Sequence, residues 1–268
     1  NPVATVTNCG TGTPTYAWSF PDGTPATSTS ATPSGTYTTS GTKTFTLVVT
    51  NECGASATIT RTVIIRPELI VNAGTDVTIC PNVGQALNGT ASGGSGTGYT
   101  YTWSPAAGLS ATNIANPVAT PTATTTYTLS VTDSSNCTVT DEVTVNVNTI
   151  VPGTIAAEQT VCVGGDPATL TETVPATAPG TLTYQWQSSP DNAAFTDIAG
   201  ATNTTYDPPV PTANIYYRRL AISTLNGVEC RVPGNVLQIS INNVTAAVFP
   251  AGDTICEGGN LPAFTAAT

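Results

Sequence analysis

Histidine and methionine are absent from these 268 residues, and lysine plus arginine total six. Without histidine, the usual Ser-His-Asp arrangements and histidine-bearing metal sites are excluded. No G-x-S-x-G nucleophile elbow is present either. The net charge is −10, so a nucleic-acid or anionic-membrane partner is not expected, and self-repulsion favours solubility. No run of 18 apolar residues and no basic leader before an apolar core occurs, so no membrane insertion is expected from this segment and any export signal should lie outside it. Charged residues make up only 8%. What fills the chain instead is Thr, Ala, Gly, Ser, Val and Pro, a composition that suits short strands joined by turns and predicts almost no helix. The 39% apolar content alternates with Thr, lining one face of each sheet.

Tyr-x-Trp is the feature the rest keeps step with: Tyr16-Ala17-Trp18, Tyr101-Thr102-Trp103 and Tyr184-Gln185-Trp186. Each is followed by a second aromatic opening an alternating run, at Phe45, at Tyr127 and at Tyr216-Tyr217. In a thin two-sheet sandwich, a Trp on a central strand facing an aromatic across the core is a common filling. Trp18, Trp103, Trp186, Phe45, Tyr127 and Tyr216 are therefore expected core residues of three copies of one module.

The spacing divides the chain into modules at 1–66, 67–148 and 149–243, with 244–268 beginning a fourth. In the first module, Pro2 to Thr7 reads as a strand, Pro21-Asp22-Gly23 as a turn, and Thr44 to Thr50 with Ala57 to Ile65 as a hairpin around Asn51-Glu52-Cys53-Gly54. This module is expected to lack its first strand. In the second, Val71 to Cys80 opens with a strand, Ser92 to Gly98 reads as a flexible loop, and Tyr127 to Thr132 with Cys137 to Val147 closes it. The third repeats that order from Val151, through Thr160-Val161-Cys162, to Val236–Ile241. Phe249 to Cys256 then restarts the opening.

Trp18-Ser-Phe-Pro-Asp22-Gly23, then Thr36-Tyr37, then Phe45-Thr-Leu-Val-Val-Thr-Asn51 resembles the PKD domain, although Pro21 stands where that family has Gly. Modules two and three resemble the Ig-like repeats of very long secreted surface proteins of Bacteroidetes-type bacteria. The motifs are T-I/V-C-x-x-G, Tyr-x-Trp, the run over 189–202, Y-x-R-R-x-A and a late Cys. The resemblance implies an all-β chain of tandem immunoglobulin-like and PKD-like β-sandwich domains forming an elongated rod. It also implies export, by the type IX route, to the bacterial cell surface as a stalk, adhesin or filament segment. Neighbouring modules of the same long chain, or other copies in a filament, are the implied partners, with a surface glycan or protein as a further one.

Seven cysteines without C-x-x-C argue for disulfides in an oxidising, extracellular setting rather than zinc or redox chemistry. Cys9 and Cys53 fall at one end of the first sandwich and are expected to bond, worth roughly 4 kcal/mol on the chain-entropy model. For the rest, two pairings compete. Spacing favours Cys80-Cys137 and Cys162-Cys230 within modules, if the first strand is kinked or short. Topology puts those partners a strand length of about 17 to 20 Å apart, beyond disulfide reach, and favours Cys80-Cys230 instead, leaving Cys137, Cys162 and Cys256 for other neighbours. The within-module option is preferred because the other requires close end-to-end packing.

Carboxylates are few and scattered. Asp191 with Asp197, or Asp141 with Glu142, could form a glycosidase-like pair in principle, but solvated surface is the expected role and no enzyme activity is expected. Calcium at module junctions is the more credible site chemistry, with Asp22, Asp76, Asp133 and Asp141 as ligand candidates that lack a ligand-spaced loop. Sequons at Asn88, Asn136, Asn203 and Asn243 are ordinary in so Thr-rich a chain, while Asp253-Thr254-Ile255 resembles the O-glycosylation acceptor of Bacteroidetes-type bacteria, at Thr254. Arg218-Arg219 could stack on aromatics or bind an anion, though alternation would turn one outward and pack the other.

The expected function is a non-catalytic structural repeat. Rival readings are a glycan- or protein-binding module using the 92–98 and 190–200 loops, accessory modules of a secreted hydrolase, and head-to-tail assembly in which the tail completes the first module by strand addition.

Overall fold

A computed structural model describes residues 12–242, and among them there is no helix. The Pro2 to Thr7 strand, Cys9, Asn243, Thr254, Cys256 and the fourth module lie outside the described residues. Two compact units divide the chain. One runs to Thr149 and takes in Thr224–Cys230; the other holds Ile150–Ser223 and continues from Arg231.

The first unit contains two sandwiches. The first has β1 (Thr15–Ser19), β2 (Gly23–Thr24), β3 (Thr27–Ser28), β4 (Thr36–Tyr37), β5 (Gly41–Thr50) and β6 (Ser56–Ile65), in a sheet of order β3-β1-β5-β6 and a small β2-β4 ladder. Alternation along β1 and β5 turns Trp18, Leu47 and Val49 inward, and Phe20 joins them with Phe45 half-buried alongside. Trp18 stacks on Phe20 at 5.8 Å, and Phe45 tilts against both. β6 behaves differently: nine of its ten residues are exposed and only Ile65 is half-covered.

The second sandwich has β7 (Ile70–Asn72), β8 (Val77–Ile79), β9 (Gln85–Ala86), β10 (Thr90–Ser92), β11 (Thr100–Ser104), β12 (Val118–Ala119), β13 (Thr125–Thr132) and β14 (Thr138–Val147). Its main sheet runs β11-β13-β14-β8, beside the ladders β10-β7 and β12-β9. The opening segment pairs antiparallel with β10 through β7, then changes sheet and pairs parallel with β14 through β8. That change closes the core: Trp103, Tyr127, Leu129, Val131, Val143, Val145 and Val147 are buried, and Ile79 of β8 is buried with them. Trp103 and Tyr127 thus occupy the expected core places. At roughly 1.5 to 3 kcal/mol per fully buried large apolar side chain, this is the main term holding the module together.

The second unit carries β15 (Thr154–Ile155), β16 (Gln159–Cys162), β17 (Glu172–Val174), β18 (Thr181–Ser189), β19 (Thr196–Asp197), β20 (Ile215–Leu225) and β21 (Val228–Asn242), the β20–β21 turn excepted. The sheet order is β16-β21-β20-β18-β19, with β16 again parallel to the closing strand. Trp186 is fully buried. Its aromatic partner is not Tyr216, as expected, but Tyr217. Alternation puts Ile215 and Tyr217 on the inner face, so Tyr217 is buried while Tyr216 is only half-covered. Tyr206 bridges the two rings, 5.6 Å from each.

Candidate functional site

The side chains with chemistry to offer lie at turns and within strands, and each is engaged by backbone groups or by another side chain. Asp133 follows β13 and is buried. It accepts hydrogen bonds from the backbone N–H of Ser95 (2.7 Å), Ser135 (2.8 Å) and Cys137 (3.0 Å). Burial pushes its carboxyl pKa up, but these donors outweigh that and hold it below the usual carboxylate range. The same bonds fix the 92–98 loop, which is therefore not the flexible spacer its glycines suggest. Gly94 N–H donates to Pro67 O, and Tyr99 Oη to Gly93 O. Gly93 has φ +79°, and a Cβ there would lie 1.9 Å from the Glu68 carbonyl oxygen. The glycines let the loop close tightly onto Asp133 rather than keeping it loose.

The other expected calcium ligands are also occupied, one by one. Asp141 accepts from Ala73 N–H and Asp76 from Thr144 N–H, both at 2.8 Å, tying the opening segment to β14. Asp22 is exposed at a turn with φ +62°, 3.8 Å from Lys43 Nζ. Among the described residues no three His, Cys, Asp or Glu side chains gather to hold a metal ion. Asp141 and Glu142 are neighbours on one strand and so point to opposite faces; Glu142 accepts from Thr128 Oγ1. Asp191 accepts from Ser189 Oγ and the N–H groups of Ala193 and Ala194, and the Ala193 donor leads in lowering its pKa. Asp197 accepts from Gln187 Nε2 at 2.6 Å. The carboxylates thus act as turn and strand fasteners. Sequons Asn88, Asn136 and Asn203 are exposed.

Both arginines of the Arg218-Arg219 pair pack. Arg218 stacks on Phe195 at 4.0 Å and donates to Gln187 Oε1. Arg219 is buried, lies 4.2 Å from the Tyr184 ring centroid, and bonds Thr204 O and Glu172 Oε2. The guanidinium expected to stack or hold an anion is therefore neutralised by Glu172, the partner that sequence reasoning missed because it lies on a distant strand.

Each Trp repeats one polar contact. The indole N–H donates to a backbone carbonyl of the following loop: Trp18 to Ser30, Trp103 to Ile114 and Trp186 to Asn203, at 2.9 to 3.0 Å. Tyr127 Oη donates to Ala107 O at 2.8 Å, and burial raises the Tyr127 pKa. Tyr217 is pushed up to about 12, by burial first and then by Tyr206.

Cys80 and Cys230 form a disulfide, with Cα atoms 5.6 Å apart. The preferred within-module pairs, Cys80-Cys137 and Cys162-Cys230, are therefore replaced by the pairing that topology favoured. The reason is the parallel course of β8: it delivers Cys80 to the end of the sandwich away from its own closing hairpin. Around the bond, Asn226 Nδ2 donates to Thr78 Oγ1 and Asn148 Nδ2 to Val228 O. Cys137 and Cys162 are free and exposed. Cys53 is exposed as well, and its expected partner Cys9 lies outside the described residues.

The first module also holds an open apolar cavity of about 420 Å³, lined chiefly by Phe20, Pro25, Tyr37, Phe45, Val63 and Ile65. Among the described residues the buried Tyr37 hydroxyl has no hydrogen-bond partner.

Comparison with known proteins matches residues 3–65 to the PKD domain and residues 151–243 to a domain of unknown function (DUF8696). No curated protein matches the chain. Three N-terminal domains of the Highly Immunogenic Outer Capsid protein (Hoc) of bacteriophage RB49 are similar at 14% identity, over 87% of this chain and 89% of that one, with TM-score 0.46. An I-band fragment of titin is similar at 12%, over 87% and 90%, with TM-score 0.40. The IG1+IG2 pair of DIP-gamma is similar at 15%, over 66% and 98%, with TM-score 0.35. PKD-like and Ig-like modules are generally non-catalytic and commonly structural or adhesive. Among the described residues no helix is long and apolar enough to cross a membrane.

Proposed function

We propose that this chain is a non-catalytic structural segment of an extracellular bacterial surface protein, of the kind carried in long Ig-like repeat proteins of Bacteroidetes-type bacteria and exported by the type IX route. One observation carries the reading. Asp133, Asp141, Asp76 and Asp191 each serve backbone N–H groups, so the acidic side chains hold loops and strands in place instead of lining a cleft. The Cys80–Cys230 bond supports an oxidising compartment. Its partners are then neighbouring modules or other copies.

The rival reading, recognition of a glycan or protein through the 92–98 loop, has less support because the loop's polar groups are already satisfied internally. Antibodies raised against the chain should label intact cells of the organism that makes it, and brief external protease should remove the label. Labelling only after lysis would refute the surface assignment. A glycan array positive for the native chain and lost on replacing the 92–98 loop would move the function to binding.

A further inference from the structure

We infer that Asn226-Gly227, at the turn between β20 and β21, is a site of spontaneous covalent modification, where the asparagine amide is lost and the main chain is rerouted in a way that loosens the hairpin carrying Cys230. The chemistry is that of an asparagine followed by glycine. The backbone nitrogen of the second residue attacks the side-chain carbonyl carbon of the first, and a residue without a Cβ hinders that approach least. The sequence holds this pair twice, as Asn88-Gly89 and Asn226-Gly227. By residue type the two are equal, and the fold separates them.

Asn88 is exposed, but Gly89 beside it is buried. The Gly89 N–H donates to Ala115 O at 3.2 Å. A Cβ on Gly89 would lie 2.6 Å from that oxygen and 3.0 Å from the Trp103 ring. The nitrogen that would attack is therefore bonded and walled in by the core of the second sandwich, and only a local opening frees it.

Asn226 and Gly227 are both exposed. Their φ angles are +48° and +81°, the left-handed pair that a two-residue hairpin turn demands. No other group lies within 4 Å of a Cβ built on Gly227, and among the described residues its N–H meets no hydrogen-bond acceptor. The nucleophile is unengaged and there is room for a ring to form. One hydrogen bond holds the side-chain amide, from Asn226 Nδ2 to Thr78 Oγ1 of β8 at 3.0 Å.

The steps balance with water as the one added reagent. Gly227 N bonds to Asn226 Cγ and gives up its proton, the Cγ–Nδ2 bond breaks, and ammonia leaves behind a succinimide ring. Water then opens the ring. Cleavage between Cγ and the Gly227 nitrogen gives aspartate on the original main chain. Cleavage at the other carbonyl gives isoaspartate, whose main chain runs through Cβ and Cγ. Aspartate keeps the tie to β8, because the Thr78 hydroxyl can turn and donate to the carboxylate. Isoaspartate adds a main-chain atom to a turn whose length sets the register of its strands, so it disturbs β20 and β21 beside Cys230, which bonds Cys80. This inference concerns the chain's own chemistry and stands apart from the surface reading.

The test ages the oxidised 268-residue protein in warm, mildly alkaline buffer, both native and in urea. Trypsin cuts after Arg219 and Arg231, so after reduction the peptide Leu220–Arg231 reports Asn226 through the mass gain of amide to acid, and a second protease reports Asn88. In urea the two sites should convert at similar rates. In the native chain Asn226 should convert about tenfold faster than Asn88 or more, because Gly89 must first leave the core. Limiting dithiothreitol should then free the Cys80 and Cys230 thiols at least about twofold faster in aged native chain than in fresh, through the disturbed register. Asn226→Gly keeps a sequence suited to the turn and lacks the amide, so its reduction should not quicken with age. Equal native rates at Asn88 and Asn226, or an Asn226 that converts only in urea, overturn the site. A disulfide reduced equally fast in fresh and aged chain, or an Asn226→Gly chain that quickens as the native one does, overturns the loosening.

Discussion

The three tryptophans show how much rests on single side chains. Each joins a buried ring to one indole N–H bond that pins the following loop, so its loss removes both packing and a loop anchor. The aromatic opposite is equally sensitive to a shift of one position. Tyr217→Ala should destabilise the third module by about 3 to 5 kcal/mol, on the scale of other large aromatic truncations in cores, while Tyr216→Ala should cost much less; chemical denaturation of the two variants checks this. Arg219, which is buried, forms an ion pair with Glu172. Glu172→Ala strands a buried guanidinium and should cost about 3 kcal/mol, typical of breaking a buried pair, whereas Arg218→Ala at the half-exposed Phe195 stack should cost well under half of that.

Asp133 makes a pH prediction with a definite sign. Its pKa is lower folded than unfolded, so its contribution is complete above its ordinary value near 3.8 and is lost as pH falls through the folded one. The melting temperature of the second module should therefore drop below about pH 4. Asp133→Asn should weaken this acid sensitivity, because the amide keeps one acceptor and sets a donor against one of the backbone N–H groups. Melting curves of both proteins across the acid range decide it, and identical acid slopes would count against the assignment.

At the scale of elements, the informative ones are the short parallel strands β8 and β16. Each seals a sandwich by adding to the closing strand, and β8 also sets which cysteines meet. The second closing hairpin ends beside a free Cys137 while the third ends beside a bonded Cys230, although the two look alike along the chain. Strand alternation made the hairpins and the Tyr-x-Trp strands legible. The change of sheet between β7 and β8 was not, because the opening from Val71 to Cys80 reads simply as a strand. What fixes it is Asp141 reaching the Ala73 N–H, a contact 68 positions apart in the chain.

For the whole molecule, the Cys80–Cys230 bond closes 150 positions of chain. On the chain-entropy model a closure of that length is worth about 5 kcal/mol. Mechanically it shortens the path of force. With roughly 3.3 to 3.6 Å per extended residue, reduction should add about 500 Å to the unfolded length. Single-molecule stretching of oxidised and reduced protein should show that difference, and equal lengths would mean the bond does not form in solution.

Composition and periodicity by themselves determined that the chain is all-β, repeated, and built on Trp strands with aromatic partners, because those properties depend on residue type and on a spacing of two along a strand. They also determined where carboxylates are scarce. The tertiary structure alone decided which of Tyr216 and Tyr217 faces the core, that Asp133 closes the 92–98 loop, that Glu172 neutralises Arg219, and that Cys80 bonds Cys230. Each of those depends on a partner far away in the chain, and one-residue register and strand direction choose the partner without leaving a mark on local sequence.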